Sequence, residues 1–267
     1  MPTIDENKEG WNTAYDWADG GEEWSRAWGG AASQWFSTIL PRLRSFVPSR
    51  TILEIAPGFG RWTRFLESLC VNLVLVDLND KCIDACKRRF ASREHVEYHV
   101  NDGRSLAMIA DDSIDLLFSF DSLVHVESDV LFDYFAQFAH KLTQHGIAFI
   151  HHSNLGEYVD SETGALRSGA SNRHWRALSV TADSVRAACE REGLICLSQE
   201  LLNWGGNELN DAITVAARPN SRWGGATLIA RNADFMRQAC DAARIAQLYD
   251  WGPLGRETQS PGRLQHD

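Results

Sequence analysis

The sequence predicts an α/β fold in which a parallel sheet is covered by helices, and three observations carry that prediction. Between residues 51 and 217 short apolar runs alternate with longer amphipathic stretches, the pattern of strands buried on both faces and joined by crossover helices. Seven of those runs have the length of strands. A glycine-rich turn follows the first run directly, and the next two runs end on polar residues able to meet a ligand.

The opening stretch, MPTIDENKEG, is acidic and lacks the basic start and apolar core of a secretory leader, so a cytoplasmic location is expected. Residues 1–49 carry five of the ten tryptophans (Trp11, Trp17, Trp24, Trp28 and Trp35), interleaved with Asp16, Asp19, Glu22 and Glu23, ahead of a predicted helix over 32–46. They read as a helical cap that serves either as a movable lid or as core cover. Residues 50–218 form the predicted core. Its strands fall at 51–55, 73–77, 96–100, 114–120, 146–152, 195–202 and 212–217, and its helices at 61–70, 80–90, 129–142 and 182–192. The last of these helices has Ser179 or Thr181 as candidate N-cap. The crossover near 104–110 is short. Residues 153–180 make a polar connection far longer than the usual ~2–6 residues, which marks it as a functional loop. A C-terminal extension, 219–267, holds a predicted helix over 232–249 and a frayed tail after Gly252.

Composition narrows the function. With 44% hydrophobic residues and no apolar run near membrane-spanning length, no transmembrane segment is predicted. A net charge of −10 argues against a nucleic-acid partner, because phosphate contacts need a basic footprint. The six cysteines contain no C-x-x-C pair. Cys82 and Cys86, four apart on a predicted helix, lack a second ligand pair, so buried free thiols are expected and no metal.

The turn Ala56-Pro57-Gly58-Phe59-Gly60 lies between a strand and a helix, where small residues let a ligand approach the backbone and the helix start offers free N–H groups. The dinucleotide fingerprint fails, since Arg61-Trp62-Thr63 follow Gly60, which disfavours a nicotinamide dehydrogenase. Asp77 ends the second strand seventeen residues past Gly60, placed to accept ribose hydroxyls, and Asn101-Asp102-Gly103 ends the third, placed to read an adenine edge.

With these residues in order, the chain over about 50–217 resembles the class I S-adenosylmethionine-dependent methyltransferases, whose first motif is an acid followed by G-x-G-x-G. Here that motif stands as Glu54-Ile55-Ala56-Pro57-Gly58-Phe59-Gly60, with alanine in the first glycine position. The resemblance implies a Rossmann-like, mostly parallel seven-stranded sheet with its last strand antiparallel, and S-adenosyl-L-methionine as cofactor. It implies that Glu54 orients the methionine end, that Ala56, Gly58 and Gly60 pack under the cofactor, that Asp77 holds the ribose, and that Asp102 and Gly103 contact adenine. The stretches Phe118-Ser119-Phe120-Asp121-Ser122-Leu123-Val124-His125-Val126-Glu127 and Phe149-Ile150-His151-His152-Ser153-Asn154, with the tryptophan-rich opening, resemble a bacterial subgroup associated with polysaccharide and glycan O-methylation.

Ligands of open α/β sheets bind beyond the carboxyl ends of the strands, which here deliver Asp121 and His125, then His151, His152 and Asn154. In-line transfer of an activated methyl group needs alignment and, for a hydroxyl acceptor, a base. His125 is the expected base, with Asp121 orienting it or touching the cofactor's amino group. His151 and His152 point to opposite sides of a strand, and His152 is favoured as the one lining the site. In the long loop, Arg173, His174, Trp175 and Arg176 combine a flat aromatic with bidentate donors, a set able to stack a sugar and hold a phosphate or carboxylate. The expected activity is methyl transfer to a sugar hydroxyl or glycan-linked group in bacterial biosynthesis. The alternatives are a small anionic acceptor (phosphate, phosphonate or carboxylate) and a non-catalytic S-adenosylmethionine-binding protein. Asp121, His125 and His151 lack spacing specific to a metal.

Overall fold

The computed structural model describes residues 3–167 and 169–250. Eight strands form one mixed sheet: β1 (Ser49–Ile55), β2 (Cys70–Asp77), β3 (Val96–Val100), β4 (Ile114–Ser119), β5 (Leu142–Ser153), β6 (Ile195–Leu202), β7 (Asp211–Ala217) and β8 (Leu228–Asn232). Their spatial order is β3-β2-β1-β4-β5-β7-β6-β8. β7 runs antiparallel to both β5 and β6, and every other pairing is parallel.

The helices are α1 (Ile4–Glu9), α2 (Ala31–Gln34), α3 (Leu40–Leu43), α4 (Thr63–Leu66), α5 (Asp80–Arg89), α6 (Ser128–Lys141), α7 (Ala182–Arg191) and α8 (Phe235–Leu248). The expected N-cap of α7 resolves to Thr181, whose side chain accepts the Ser184 N–H, while the Ser179 hydroxyl accepts the Ser128 N–H at the start of α6. The predicted helix over 61–70 is shorter than its pattern. It ends in a 3₁₀ turn at Glu67–Leu69 because Cys70 is already drawn into β2, in register with Ser49 of β1.

Strand residues alternate between two buried layers. Ile52, Leu73, Leu75 and Leu116 pack with Trp28, Trp35, Leu43, Leu66, Phe90 and Phe235 on one face. Leu53, Val74, Val76 and Leu117 pack with Phe135, Phe138 and Val185 on the other. This is why the central strands read as continuous apolar runs. Trp35 stacks on Phe65 with centroids 4.9 Å apart, so this part of the tryptophan-rich opening is core of the sheet domain.

The expected seven strands become eight. β8 pairs parallel with β6, placing Ile229 opposite Gln199, so the antiparallel strand is β7 and not the last one in the chain. Its residues left no apolar alternation to read, because an edge strand with Leu228 71% and Ile229 55% exposed buries neither face. The predicted helix over 232–249 accordingly starts later, at Phe235. The predicted frayed tail after Gly252 lies outside the described residues. No helix among the described residues is long and apolar enough to cross a membrane.

Candidate active site

Beyond the carboxyl ends of β1, β2, β3 and β4 lies a cavity of about 620 Å³, closed from above by residues 4–28 and by the 173–176 stretch of the long loop. Its floor is the turn after β1. Ala56, Gly58 and Gly60 all take left-handed backbone angles, φ 55, 58 and 83. A Cβ on Gly60 would stand 2.6 Å from the Phe90 ring, and one on Gly58 3.0 Å from Trp17. Both positions are therefore closed to side chains by packing as well as by φ. Ala56 takes its angle despite its Cβ, held by its N–H on the Val76 carbonyl and its carbonyl on the Ser122 hydroxyl.

Asp77 at the end of β2 accepts the Gly58 N–H (3.2 Å) and the Asn79 N–H (2.9 Å), which pins the turn to the neighbouring strand. Burial pushes its carboxyl up to about 6, against those backbone donors. Asn101 and Gly103 line the same end of the cavity, whereas Asp102 is exposed outside it and accepts the Arg104 and Ser105 N–H groups. Glu54 also stays behind the wall. Its carboxyl is 1% exposed, accepts the Thr63 hydroxyl at 2.6 Å, and burial pushes it up to about 8, so it is predominantly protonated at neutral pH.

The cavity fits S-adenosylmethionine on two grounds. The positive-φ turn brings the backbone of Ala56, Gly58 and Phe59 to the cavity wall, and no Cβ projects from Gly58, where one would strike Trp17 over the same cavity. In addition, three buried polar atoms on the lining, Glu23 Oε2, Trp62 Nε1 and Asn79 Oδ1, have no hydrogen-bond partner among the described residues. Buried unpaired polar atoms are costly, so these three would gain from a polar ligand in the cavity.

On the other side of the cavity β4 ends at Asp121, itself at φ 61. Asp121 anchors a buried ladder of alternating charge. Arg61 meets Asp121 at 2.9 Å, Arg176 lies 3.6 Å from Asp121, and Arg176 pairs doubly with Asp211 through Nε (3.0 Å) and Nη2 (2.8 Å). His151 closes it, with Nε2 on Asp211 and Nδ1 accepting the Asp121 N–H. Burial would raise the Asp211 carboxyl, but Arg176 and His151 hold it down at about 2. Two arginines and two aspartates balance, so the ladder brings no net charge to the site. Arg61 also spans Trp24 and Trp62, 5.2 and 4.3 Å from their ring centroids.

His125, in the short turn Leu123–His125, faces the cavity beside Trp11 and Trp175. Its Nδ1 lies 2.9 Å from the Trp175 carbonyl, so Nδ1 carries the proton and donates, leaving the Nε2 lone pair unprotonated. Burial, reinforced by Arg176, lowers its pKa to about 4.

The structure thus brings Asp121, His125, Arg173, His174, Trp175 and Arg176 to the cavity with Ala56, Gly58, Asp77 and Gly103. Five expected residues, Glu54, Gly60, Asp102, His152 and Asn154, are not on its lining. His152 is fully buried, donating Nδ1–H to the Ser153 carbonyl and accepting the Thr214 hydroxyl at Nε2, and burial lowers it to about 4. Its partner on the strand, His151, takes the ladder side instead, and neither lines the cavity. Asn154 spends its side chain on the Leu209 carbonyl and the Ala182 N–H at the start of α7. Among loop residues Arg176 is 3% exposed and committed to the ladder, while Arg173 is exposed at the rim. Sequence reading missed Arg61, noted only as the residue that breaks a fingerprint, and Asp211. The signal for Asp211 was an acid heading an otherwise apolar strand.

Residues 52–146 match the family described as a methyltransferase domain. No curated protein matches the sequence. Among solved structures, the PH0226 protein of Pyrococcus horikoshii OT3 is 21% identical with a TM-score of 0.52, over 73% of this chain and 98% of that one. An S-adenosylmethionine-dependent methyltransferase of Mesorhizobium loti is 18% identical with a TM-score of 0.52, over 70% and 98%. One from Clostridium acetobutylicum is 14% identical with a TM-score of 0.52, over 73% and 92%. At such identities these structures share the fold of this chain.

Proposed function

On the premise that this chain is an S-adenosylmethionine-dependent methyltransferase, we propose that it methylates a hydroxyl oxygen of a sugar or glycan-linked group in bacterial biosynthesis. The observation that carries this reading is the His125 ring, whose tautomer leaves a bare Nε2 on the cavity wall between Trp11 and Trp175. Such an atom accepts a hydroxyl proton, and flat indole faces suit the C–H face of a sugar ring. When bound, the cofactor supplies a methyl group already activated on a sulfonium. For a hydroxyl acceptor of that methyl group, His125 Nε2 would take up the proton that the oxygen gives up. Burial and Arg176 oppose the resulting imidazolium, and the hydrogen bond to the Trp175 carbonyl with Asp121 and Asp211 partly offsets them.

The roles proposed for the remaining residues follow their places. Gly58 and Gly60 keep the turn open, Asp77 takes the ribose hydroxyls, and Asn101 and Gly103 lie at the adenine end. A small anionic acceptor is less well served, because of the three arginines on the described lining Arg176 is occupied by Asp211 and Arg61 by Asp121, which leaves Arg173 at the rim. With labelled methyl donor and a panel of glycosides, His125→Ala is expected to lower turnover by about a hundredfold or more while S-adenosylhomocysteine still binds. Full turnover by that variant, with activity lost in Arg173→Ala, would replace the hydroxyl acceptor by an anionic one.

A further inference from the structure

We propose that Glu23, in the segment over the cavity, binds the α-ammonium group at the methionine end of S-adenosylmethionine. The adenosine end of the cavity is set by Asp77, Asn79, Asn101 and Gly103 at the ends of β2 and β3, so the methionine end falls over Gly58–Arg61 and Asp121. Residues 17–25 cover that end. Trp17 stacks on Phe59 with centroids 4.4 Å apart, Trp24 lies against Arg61, and Ser25 accepts from the Arg61 guanidinium at 3.2 Å.

An ammonium group there is best matched by a carboxylate, and the cavity lining has four among the described residues. Asp77 holds two backbone N–H groups on the adenosine side. Asp121 is shared between Arg61 and Arg176. Glu127 spends both oxygens on residues 178 and 179. Glu23 accepts the Tyr15 hydroxyl at Oε1, but its Oε2 is buried without a partner. The Glu54 carboxyl, expected at the methionine end, is behind the wall and predominantly protonated at neutral pH. The carboxylate oxygen left for a cation is Glu23 Oε2, and the unpaired Trp62 Nε1–H beside Arg61 is placed to meet the opposite, carboxylate charge of the same amino-acid end. This assignment is independent of which acceptor is methylated.

The test compares two probes that share the adenosine and sulfur but differ in the amino-acid end: S-adenosylhomocysteine and 5′-methylthioadenosine. Binding is read by calorimetry and by quenching of the tryptophans around the cavity. Glu23→Gln is expected to weaken S-adenosylhomocysteine by roughly ten- to a hundredfold, the scale of a lost charge-assisted hydrogen bond, and to leave methylthioadenosine within about twofold. Glu23→Asp, which keeps the charge, should recover part of the loss. An equal loss for both probes, or an unchanged affinity for S-adenosylhomocysteine, would overturn the proposal.

Discussion

His152 shows how burial decides what a histidine does. It sits fully enclosed with its two nitrogens satisfied as a neutral ring, and its pKa falls from 6.5 to about 4. The sign of the linkage follows. The unfolded chain takes up the proton near pH 6.5 and the folded protein only near 4, so the stability tied to this ring is complete above 6.5 and is lost as pH falls through that window. Its size is at most about 3 kcal/mol. Glu54, whose pKa rises from 4.5 to about 8, contributes the opposite slope as pH rises through its own window, so the total profile mixes both. The difference between wild type and His152→Gln isolates the histidine: the gap in melting temperature should narrow from pH 7 to pH 5. A constant gap would mean that folding leaves the pKa of the ring unshifted, and a widening one that the ring is protonated in the fold.

At the scale of elements, the long loop divides into two functions that its arginines report separately. Arg176 is enclosed and pairs with Asp211 at the head of β7, so it ties the loop to the sheet. Removing one partner of such a buried pair leaves the other uncompensated. Arg176→Ala is expected to cost about 3–5 kcal/mol of stability in denaturant melts. Arg173→Ala should stay within about 0.5 kcal/mol of wild type and act, if anywhere, on acceptor affinity. Equal stability losses would show that the loop is a single structural unit. The sequence grouped these two arginines because they stand three apart beside a tryptophan; that one is buried and the other exposed depends on a strand partner 35 residues away.

For the whole molecule, the tryptophan-rich opening joins the two halves of the reading. Trp35 is core and Trp28 both core and cavity wall, whereas Trp11, Trp17 and Trp24 wall the cavity alone, and Gly29 lies so close to α8 that a Cβ there would meet Ala243 Cα at 3.1 Å. The segment is thus anchored at its later end and meets the cavity at its earlier end. A ligand that bridges floor and cover should tighten both. S-adenosylhomocysteine at about a hundred times its Kd is expected to add about 2.7 kcal/mol to stability, raising the melting temperature by several degrees. It should also slow proteolysis within residues 3–27 more than elsewhere. Unchanged cleavage there would count against closure of the cover by ligand.

What the sequence determined by itself is the part of this protein set by local pattern. The apolar runs of β1, β2, β4 and β5, the glycine turn and the position of Asp77 are all consequences of neighbours in the chain: strands buried on both faces must be apolar, and a tight turn at positive φ favours glycine. What only the tertiary structure decided is the fate of each polar side chain. Glu54 and Asp102 leave the cavity, His151 and His152 turn inward, Arg61 and Asp211 join a ladder whose members come from five separate parts of the chain, and Glu23 keeps an unpaired oxygen over the cofactor turn. The reason is physical. Apolar burial depends on periodicity, which one segment carries alone, while the pairing and protonation of a polar group depend on partners brought together by folding.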